Sequence, residues 1–276
     1  MNVVTSIGLA GWAFRTVVAS AFRAKLWIPF GVLGLVQLAS LALLVSFYEP
    51  AVSWLTVPLI RWVGGETATH YPYFYAVLPA VFARWSLVVG VLLASLTTGA
   101  ATVAFAHRFG AGEGRAWRSA GRRYPALVSV GLLGAAIGYL LYLAGSSIPN
   151  EVLWSSRAIR WGARLGSLAF FVLGQCFIVY ATAAIVIEGR GLLAALRQAA
   201  GLFLALSLAT LVVVGVPVFL NYPLDYLGER SDWFLGKFSP ELMAGLLAVK
   251  ILWEMVLSFL LVGAVTRLFV WRRGLE

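Results

Sequence analysis

Six long apolar segments constrain this chain more than any other feature of its sequence. Each is long enough to cross the hydrocarbon core of a bilayer, which takes about 20 residues of helix. Their Leu, Ala, Val and Gly content lacks the period-two alternation of barrel strands. The segments cover residues 27–48, 75–105, 126–143, 165–187, 202–220 and 242–266. The sequence therefore predicts an all-α integral membrane protein with six transmembrane helices.

The composition excludes a soluble globule. Of the 276 residues, 61% are hydrophobic and only 12% are charged. Eleven acidic side chains cannot solvate the surface of a globule of this size. The single Cys excludes a disulfide framework and a thiolate metal cluster, and two His leave little for a histidine-rich redox site. We expect neither a cofactor nor a metal.

The net charge of +10 is distributed unevenly along the chain. Residues 1–26, 108–125, 188–201 and 267–276 hold the whole excess of Lys and Arg, whereas the loops on the other side are balanced. By the positive-inside rule both termini are cytoplasmic. The natural partners of these arginines are anionic lipid headgroups on the cytoplasmic face, so nucleic acid binding is not required.

A short charged motif occurs twice. The order Glu, Gly, Arg and a later Arg recurs at a constant offset and each time precedes an apolar segment: Glu113, Gly114, Arg115 and Arg122, then Glu188, Gly189, Arg190 and Arg197. We expect one membrane domain, 1–276, made of three hairpin units (1–107, 108–187 and 188–276). A short cytoplasmic amphipathic helix at the membrane interface precedes each. Transporters contain such repeats, with sites between them, but duplication of any stable hairpin also produces them.

The two basic segments are candidate contact surfaces on the cytoplasmic side. Their charged residues are Glu113, Arg115, Arg118, Arg122, Arg123, Glu188, Arg190 and Arg197. They can dock a cytoplasmic partner or bind lipid headgroups, or the helices can be simple anchors that set the angle of the next span.

On the opposite side, residues 50–74 and 151–164 have the composition of amphipathic helices that rest on the outer membrane surface. In the loop 221–241, Asp225, Glu229 and Asp232 would align on one helix face. Calcium is one explanation, and a solvated acidic face is the other, which the nearby basic residues favour.

Ionisable side chains at membrane depth are the main candidates for function, since each is costly there unless it is paired or reaches the interface. Counted from the cytoplasmic ends of their helices, Arg84 and Lys250 lie at similar depth near the outer boundary, and Glu254 lies about 6 Å further in, so we predict a cluster of the three. Polar stripes that include Ser258, Thr98 and Gln175 continue inward. Either these residues line a polar cavity that attracts an anionic headgroup or carboxylate, or Glu254 pairs with Lys250 or Arg84 and locks helix packing.

The stretch 183–199, Ala-Ala-Ile-Val-Ile-Glu-Gly-Arg-Gly-Leu-Leu-Ala-Ala-Leu-Arg-Gln-Ala, resembles the signature of a bacterial six-helix membrane family. That family includes the integral membrane domain attached to some glycerophosphodiester phosphodiesterases. The resemblance implies a bacterial inner-membrane protein connected with lipids or the envelope. The phosphodiesterase barrel with its metal-binding residues is absent from this sequence, so its activity is not carried over.

Three functions are consistent with the sequence. The first is a non-enzymatic subunit or scaffold of a larger membrane assembly with protein partners in the membrane, since no catalytic motif is present. The second is a permease for a lipid or amphiphilic anion with a separate ATPase partner. The third and least favoured is a membrane-embedded lipid-modifying enzyme.

Overall fold

The structure, a computed structural model, describes residues 2–111, 114–146 and 157–274. Within these ranges the chain forms helices and turns, with no β-strand. A 3-10 turn (Glu66–Thr69) precedes α4, and a π-helical segment (Gly90–Ala94) joins α4 to α5. The α-helices are α1 (Val3–Ser20), α2 (Ala24–Val45), α3 (Pro50–Gly64), α4 (Tyr73–Val89), α5 (Ser95–Arg108), α6 (Ala116–Arg122), α7 (Tyr124–Ser146), α8 (Arg157–Ile178), α9 (Ala181–Val186), α10 (Leu192–Ala205), α11 (Ser207–Glu229), α12 (Ser231–Leu235) and α13 (Leu242–Arg273).

The long helices are apolar enough to cross a bilayer. Each of the six predicted segments falls mainly within such a helix, and the described residues contain a seventh candidate, α1. The mean hydropathy of α1 is 1.3, the lowest of the seven, because Arg15 and several hydroxyl residues interrupt it. The prediction of an all-α protein is confirmed, and its long apolar helices fit a multi-pass membrane protein.

Helix α1 packs along the C-terminal half of α13 rather than beside α2. Val17 reaches Gly263, and Trp12 lies over Arg267, so the two helices are antiparallel. Helix α2 continues in the same direction, since Trp27 and Phe30 contact Phe259. Thus α1 and α2 follow one another along the same partner helix.

One packing relation recurs three times around the bundle. Each helix that directly precedes a long apolar helix packs on the end of a different helical hairpin. Thus α6 packs on α5, α10 packs on α8 and α9, and α1 packs on α13. The long helices that follow keep the same neighbours, with α7 on α5, α11 on α8, and α2 on α13. These contacts close a ring, in which α5 also packs against both α9 and α13.

Several helix boundaries differ from the sequence predictions. Helix α11 continues to Glu229, about two turns beyond the predicted end at residue 220, so Asp225 is helical and does not belong to a loop. A break at Leu206 assigns residues 202–205 to α10. Residues 50–64 form the predicted helix, but 157–164 are the first turns of α8 and not a separate helix. The predicted residues 151–156 lie outside the described ranges.

Two hydrophobic clusters hold the two ends of the bundle. At the end where α1 begins and α13 ends, which we call the basic end, Phe105 and Phe259 are fully buried and contact each other edge to face. At the opposite end, which we call the α3 end, Phe74 and Leu78 pack with Leu44 and Leu247. Members of both clusters line the cavities described below.

Gly263 tests the three-helix contact of the basic end. A Cβ at this position would lie 2.7 Å from Val17 Cγ1 and 3.0 Å from Phe105 Cε1. We expect Gly263→Ala to destabilise the protein by about 1–3 kcal/mol through overpacking. The matched control is Gly245→Ala on the same helix, where nothing lies within 4 Å. Its higher helix propensity should leave stability equal or raised by up to about 1 kcal/mol. Thermal unfolding in detergent compares the two, and equal melting temperatures would contradict the packing assignment.

Candidate functional site

A cavity of about 940 Å³ lies in the half of the bundle toward the α3 end and is partly open to the surroundings. Helix α4 forms one wall, α8 faces it, and α11 and α13 supply most of the remaining lining, to which α7 and α12 add one residue each. Most lining side chains are apolar, including Phe82, Leu168 and Phe171. Four charged residues also line it: Arg164, Asp225, Lys250 and Glu254. We call this space the charged cavity.

Two helices hold the charged group together. Lys250 Nζ lies 2.7 Å from Asp225 Oδ1 and 3.5 Å from Glu254 Oε1. Asn221 Nδ2 donates hydrogen bonds to Asp225 Oδ2 at 2.9 Å and to Glu254 Oε1 at 3.3 Å. Asn221 and Asp225 are one turn apart on α11, and Lys250 and Glu254 are one turn apart on α13. The four side chains therefore form one polar network across the α11–α13 contact.

Arg84 is not part of this network. It is exposed on α4, and its guanidinium lies 5.3 Å from the ring centroid of Trp62 on α3. The predicted cluster of Arg84, Lys250 and Glu254 is therefore wrong with respect to Arg84. Two side chains at equal depth on different helices do not necessarily face each other. Asp225 takes the predicted place of Arg84, as a partner of opposite sign. The prediction missed it because the sequence assigned residue 225 to a loop.

Aromatic rings flank the charged cavity on α11 and α8. The guanidinium groups of Arg164 and Arg230 lie 5.2 Å and 4.6 Å from the ring centroid of Tyr226. Trp161 also stacks on Tyr226, with the ring centroids 6.4 Å apart. The contact with Tyr226 holds the guanidinium of Arg164, a residue of α8, against α11.

A second, smaller cavity of about 270 Å³ lies nearer the basic end, between α5, α7, α8, α9 and α13. Thr98, Gln175 and Thr182 line it, and none of its described lining residues is ionisable. Gln175 is one helical turn, about 6 Å, from Phe171 of the charged cavity. We call it the polar cavity, and the two cavities follow one another along the bundle.

The π-helical segment separates the surroundings of the two cavities. The segment and α5 pack against α7, where Gly131 allows a close approach, since a Cβ there would collide with Ser95 Oγ. Beyond the segment, α4 packs against α2, α3, α12 and α13. The change of neighbours moves α4 away from α7 and α8, and the charged cavity occupies the space between them.

The remaining predicted cavity residue, Ser258, lines neither large cavity. It borders a cleft of about 50 Å³ between α2 and α13, together with Gln37 and Glu254. Glu254 therefore has the charged cavity on one side and this cleft on the other. The predicted polar residues thus fall into three neighbouring spaces.

At the basic end, Glu188 joins three parts of the chain. Its carboxylate accepts hydrogen bonds from Arg273 Nε at 2.6 Å and Arg190 Nε at 2.7 Å, and from Gln198 Nε2 at 3.1 Å. Only 14% of its side chain is exposed. Burial opposes ionisation of this carboxyl, but the hydrogen bonds from Arg273, Arg190 and Gln198 outweigh it, and the pKa of Glu188 is lowered. Glu188 therefore stabilises the end of α13 and is not a free docking group.

The glycine that follows Glu188 is required by the backbone. Gly189 has a φ of +69°, and a Cβ there would lie 2.9 Å from Arg123 Nη2. Its counterpart in the first copy of the motif, Gly114, has a φ of +102°. Both copies thus use a left-handed glycine at the turn into the next helix.

The other predicted contact residues form an exposed basic surface. Glu113 lies outside the described ranges. The arginines of the two motifs are exposed at the basic end: Arg115, Arg118, Arg122, Arg123, Arg190 and Arg197. This surface has the charge that anionic headgroups require.

The alternative of a calcium site in residues 221–241 gains no support. Asp225 is paired with Lys250, and the side chains of Glu229 and Asp232 are not described. Within the part of the chain that the structure describes, no group of three or more His, Cys, Asp or Glu residues is placed to hold a metal.

Comparisons with known proteins give no relatives: no family model, no curated protein and no solved structure matches this chain.

The Glu188 network predicts a pH-dependent stability. Because the folded-state pKa is lowered, the contribution is complete above the ordinary glutamic acid pKa of about 4.3 and is lost as the pH falls through the folded-state value. We expect Glu188→Gln to lose about 1.5–3 kcal/mol at pH 7, the range for hydrogen bonds to charged groups. Thermal unfolding between pH 7 and pH 3 should show this difference shrinking with acid. Glu66→Gln, at an exposed carboxylate, is the control and should match the parent throughout. A difference that persists at pH 3 would contradict the assignment.

Proposed function

We propose that this protein is a multi-pass membrane protein of three helical hairpins with cytoplasmic termini, and that it binds an amphiphile in the charged cavity as a permease. The single observation that supports this most is the charged cavity itself. Its volume is within the range of about 300–1,000 Å³ typical of small-molecule sites. It combines apolar walls with a localised group of charges, which is the combination that an amphiphile needs.

Access from the membrane supports the lipid-like nature of the ligand. The charged cavity lies between α4 and α8, two long apolar helices, and is partly open. In a bilayer, a space between such helices is accessible to lipids from the side. An apolar chain can then remain against Phe82, Leu168 and Phe171 while the headgroup reaches Asp225, Lys250 and Glu254.

The order of the two cavities along the bundle axis supports movement of the ligand rather than storage. The polar cavity lies next to the charged cavity, toward the basic end. Leu127 and Val265, from the buried cluster of that end, line it. Two neighbouring cavities along one bundle offer a ligand successive positions, as in transporters with internal repeats.

The family that the sequence resembles agrees with this proposal, although its properties remain predictions for this chain. A bacterial inner-membrane location and a link to lipids both follow from that resemblance. The exposed arginines of the basic end offer a surface to a partner ATPase and to anionic headgroups.

A subunit or scaffold function is the second candidate, favoured by α3. Trp54 and Trp62 of this helix are 73% and 74% exposed, which gives the α3 end an aromatic surface suited to a membrane interface or to a protein partner. Under this alternative the charged cavity is a packing feature, and stable co-purification with other envelope proteins would be its signature.

A cavity-filling substitution tests the proposal. Ala83 lines the charged cavity and is exposed, so Ala83→Trp should fill the space without disturbing the core. The matched control is Ala42→Trp, at an exposed alanine of α2 outside the cavity lining. We expect Ala83→Trp to reduce the lipid retained after purification by about tenfold, which corresponds to about 1.4 kcal/mol, while Ala42→Trp retains as much as the parent. Native mass spectrometry measures the bound lipid, and equal retention in all three proteins would refute the proposal.

A further inference from the structure

We infer that the charged cavity selects a zwitterionic amphiphile whose headgroup joins a phosphate to a primary ammonium. The inference rests on the proposed function, because it names the class of ligand for the same site. It also departs from the sequence prediction, in which the ligand was an anionic headgroup or carboxylate.

The charge balance of the cavity argues against an anion. The two cations Arg164 and Lys250 are matched by the two carboxylates Asp225 and Glu254. Lys250 already lies 2.7 Å and 3.5 Å from these carboxylates. An incoming phosphate would have to compete with both of them for Lys250, and their negative charge would repel it.

The local excess on the α11–α13 side is negative and accessible. Lys250, Asp225 and Glu254 together carry one net negative charge. The side chains of Asp225 and Glu254 are 40% and 35% exposed, and both line the cavity. Asn221 donates to both carboxylates and keeps them in place. Within the described chain Glu254 Oε2 accepts no hydrogen bond, so an acceptor remains for a cationic donor.

These acceptors favour a primary ammonium over a quaternary one. A primary ammonium has three N–H donors, which carboxylate oxygens satisfy, whereas a quaternary ammonium has none and is bound mainly by aromatic faces. Aromatic rings of Phe82, Phe171 and Tyr222 also line the cavity, but they offer nothing to the carboxylate oxygens. A methylated headgroup has no N–H group to donate to Asp225 and Glu254, so these two acceptors would lose their hydration without gaining hydrogen bonds.

Arg164 supplies the complementary end of the site. It belongs to α8 and lines the cavity, and contact with Tyr226 of α11 orients its guanidinium. A guanidinium is suited to bind phosphate through two parallel hydrogen bonds. The cavity lining thus contains both carboxylates and a guanidinium, the two kinds of group that an ammonium–phosphate headgroup requires.

A competition experiment tests the inference on the full-length protein. Detergent-solubilised protein is stripped of lipid and incubated with equal amounts of phosphatidylethanolamine, phosphatidylcholine and phosphatidylglycerol with identical acyl chains. Native mass spectrometry then gives the bound fractions. We expect phosphatidylethanolamine to exceed each competitor by about tenfold, the ratio that one charge-assisted hydrogen bond supplies. A preference for phosphatidylglycerol, or equal binding of the phosphatidylethanolamine and phosphatidylcholine, would overturn the inference.

Two variants assign the preference to the cavity. Glu254→Gln keeps the 2.7 Å contact between Lys250 and Asp225, so the network retains its main ion pair, but it removes the excess negative charge. We expect its ratio of phosphatidylethanolamine to phosphatidylcholine to fall toward one and its phosphatidylglycerol binding to rise. Arg84→Gln removes a charge outside the cavity and should keep the parental ratios. An unchanged preference in a folded Glu254→Gln variant would overturn the inference.

The Ala83→Trp variant distinguishes failure of the proposed binding site from failure of the headgroup assignment. If Ala83→Trp abolishes binding of whichever lipid is preferred, the cavity is the binding site, and only the headgroup assignment depends on the ratios. If Ala83→Trp binds the same lipids as the parent, the proposed function fails together with the inference.

Discussion

Helix α13 is the constraint on which the rest of the structure depends. Its 32 residues extend over about 48 Å, and α1, α2, α5 and α11 all pack against it. Toward the basic end α13 packs closely against its neighbours, since the missing side chain of Gly263 leaves room for both Val17 and Phe105. Toward the α3 end it carries Lys250 and Glu254 instead. One helix therefore sets both the closed and the open half of the bundle.

The charged residues of α13 need polar partners, and the extended α11 supplies them. An unpaired charge at membrane depth costs about 2.5–3.5 kcal/mol on insertion scales. Extending α11 to Glu229 brings Asn221 and Asp225 opposite Lys250 and Glu254, and this pairing offsets the cost. The same extension builds one wall of the charged cavity. The network thus holds α11 against α13 and also presents polar groups to the cavity. The two explanations considered from the sequence, an ion pair that locks helix packing and a polar cavity, are therefore compatible.

The sequence was sufficient for features that depend on composition or on local periodicity. Apolar length predicted the long helices, and the repeated Glu-Gly-Arg motif identified two turns that both place glycine at positive φ. It was insufficient where a local signal opposed the final structure. The segment before residue 27 was predicted as a short interfacial helix, whereas α1 is long and apolar enough to be a candidate span despite Arg15. The polar residues after 220 were assigned to a loop, but α11 continues through them.

The candidate site was half predictable for a related reason. Lys250 and Glu254 are one turn apart on a single helix, so their proximity follows from helical geometry. Partners on different helices depend on how each helix is rotated about its axis, which depth does not give. Arg84 has the predicted depth but faces Trp62. The π-helical segment adds to the difficulty, because a π-helical turn shifts which residues of α4 and α5 share a face, and the periodicity of the sequence does not predict it.

The chemical difference between the two cavities indicates where a permease of this design would need energy. A zwitterionic headgroup in the charged cavity has ionic partners of both signs, whereas the described lining of the polar cavity offers only hydroxyl and amide groups. Ser95 and Thr102 there already donate to the backbone carbonyls of Val91 and Thr98. Under the proposed permease function, transfer of the headgroup from the charged cavity to the polar cavity would therefore be uphill. At the basic end of the bundle, Glu188 ties the turn before α10 to the end of α13. A partner that binds the exposed arginines beside Glu188 would act at the position with the most direct connection, through α13, to Lys250 and Glu254.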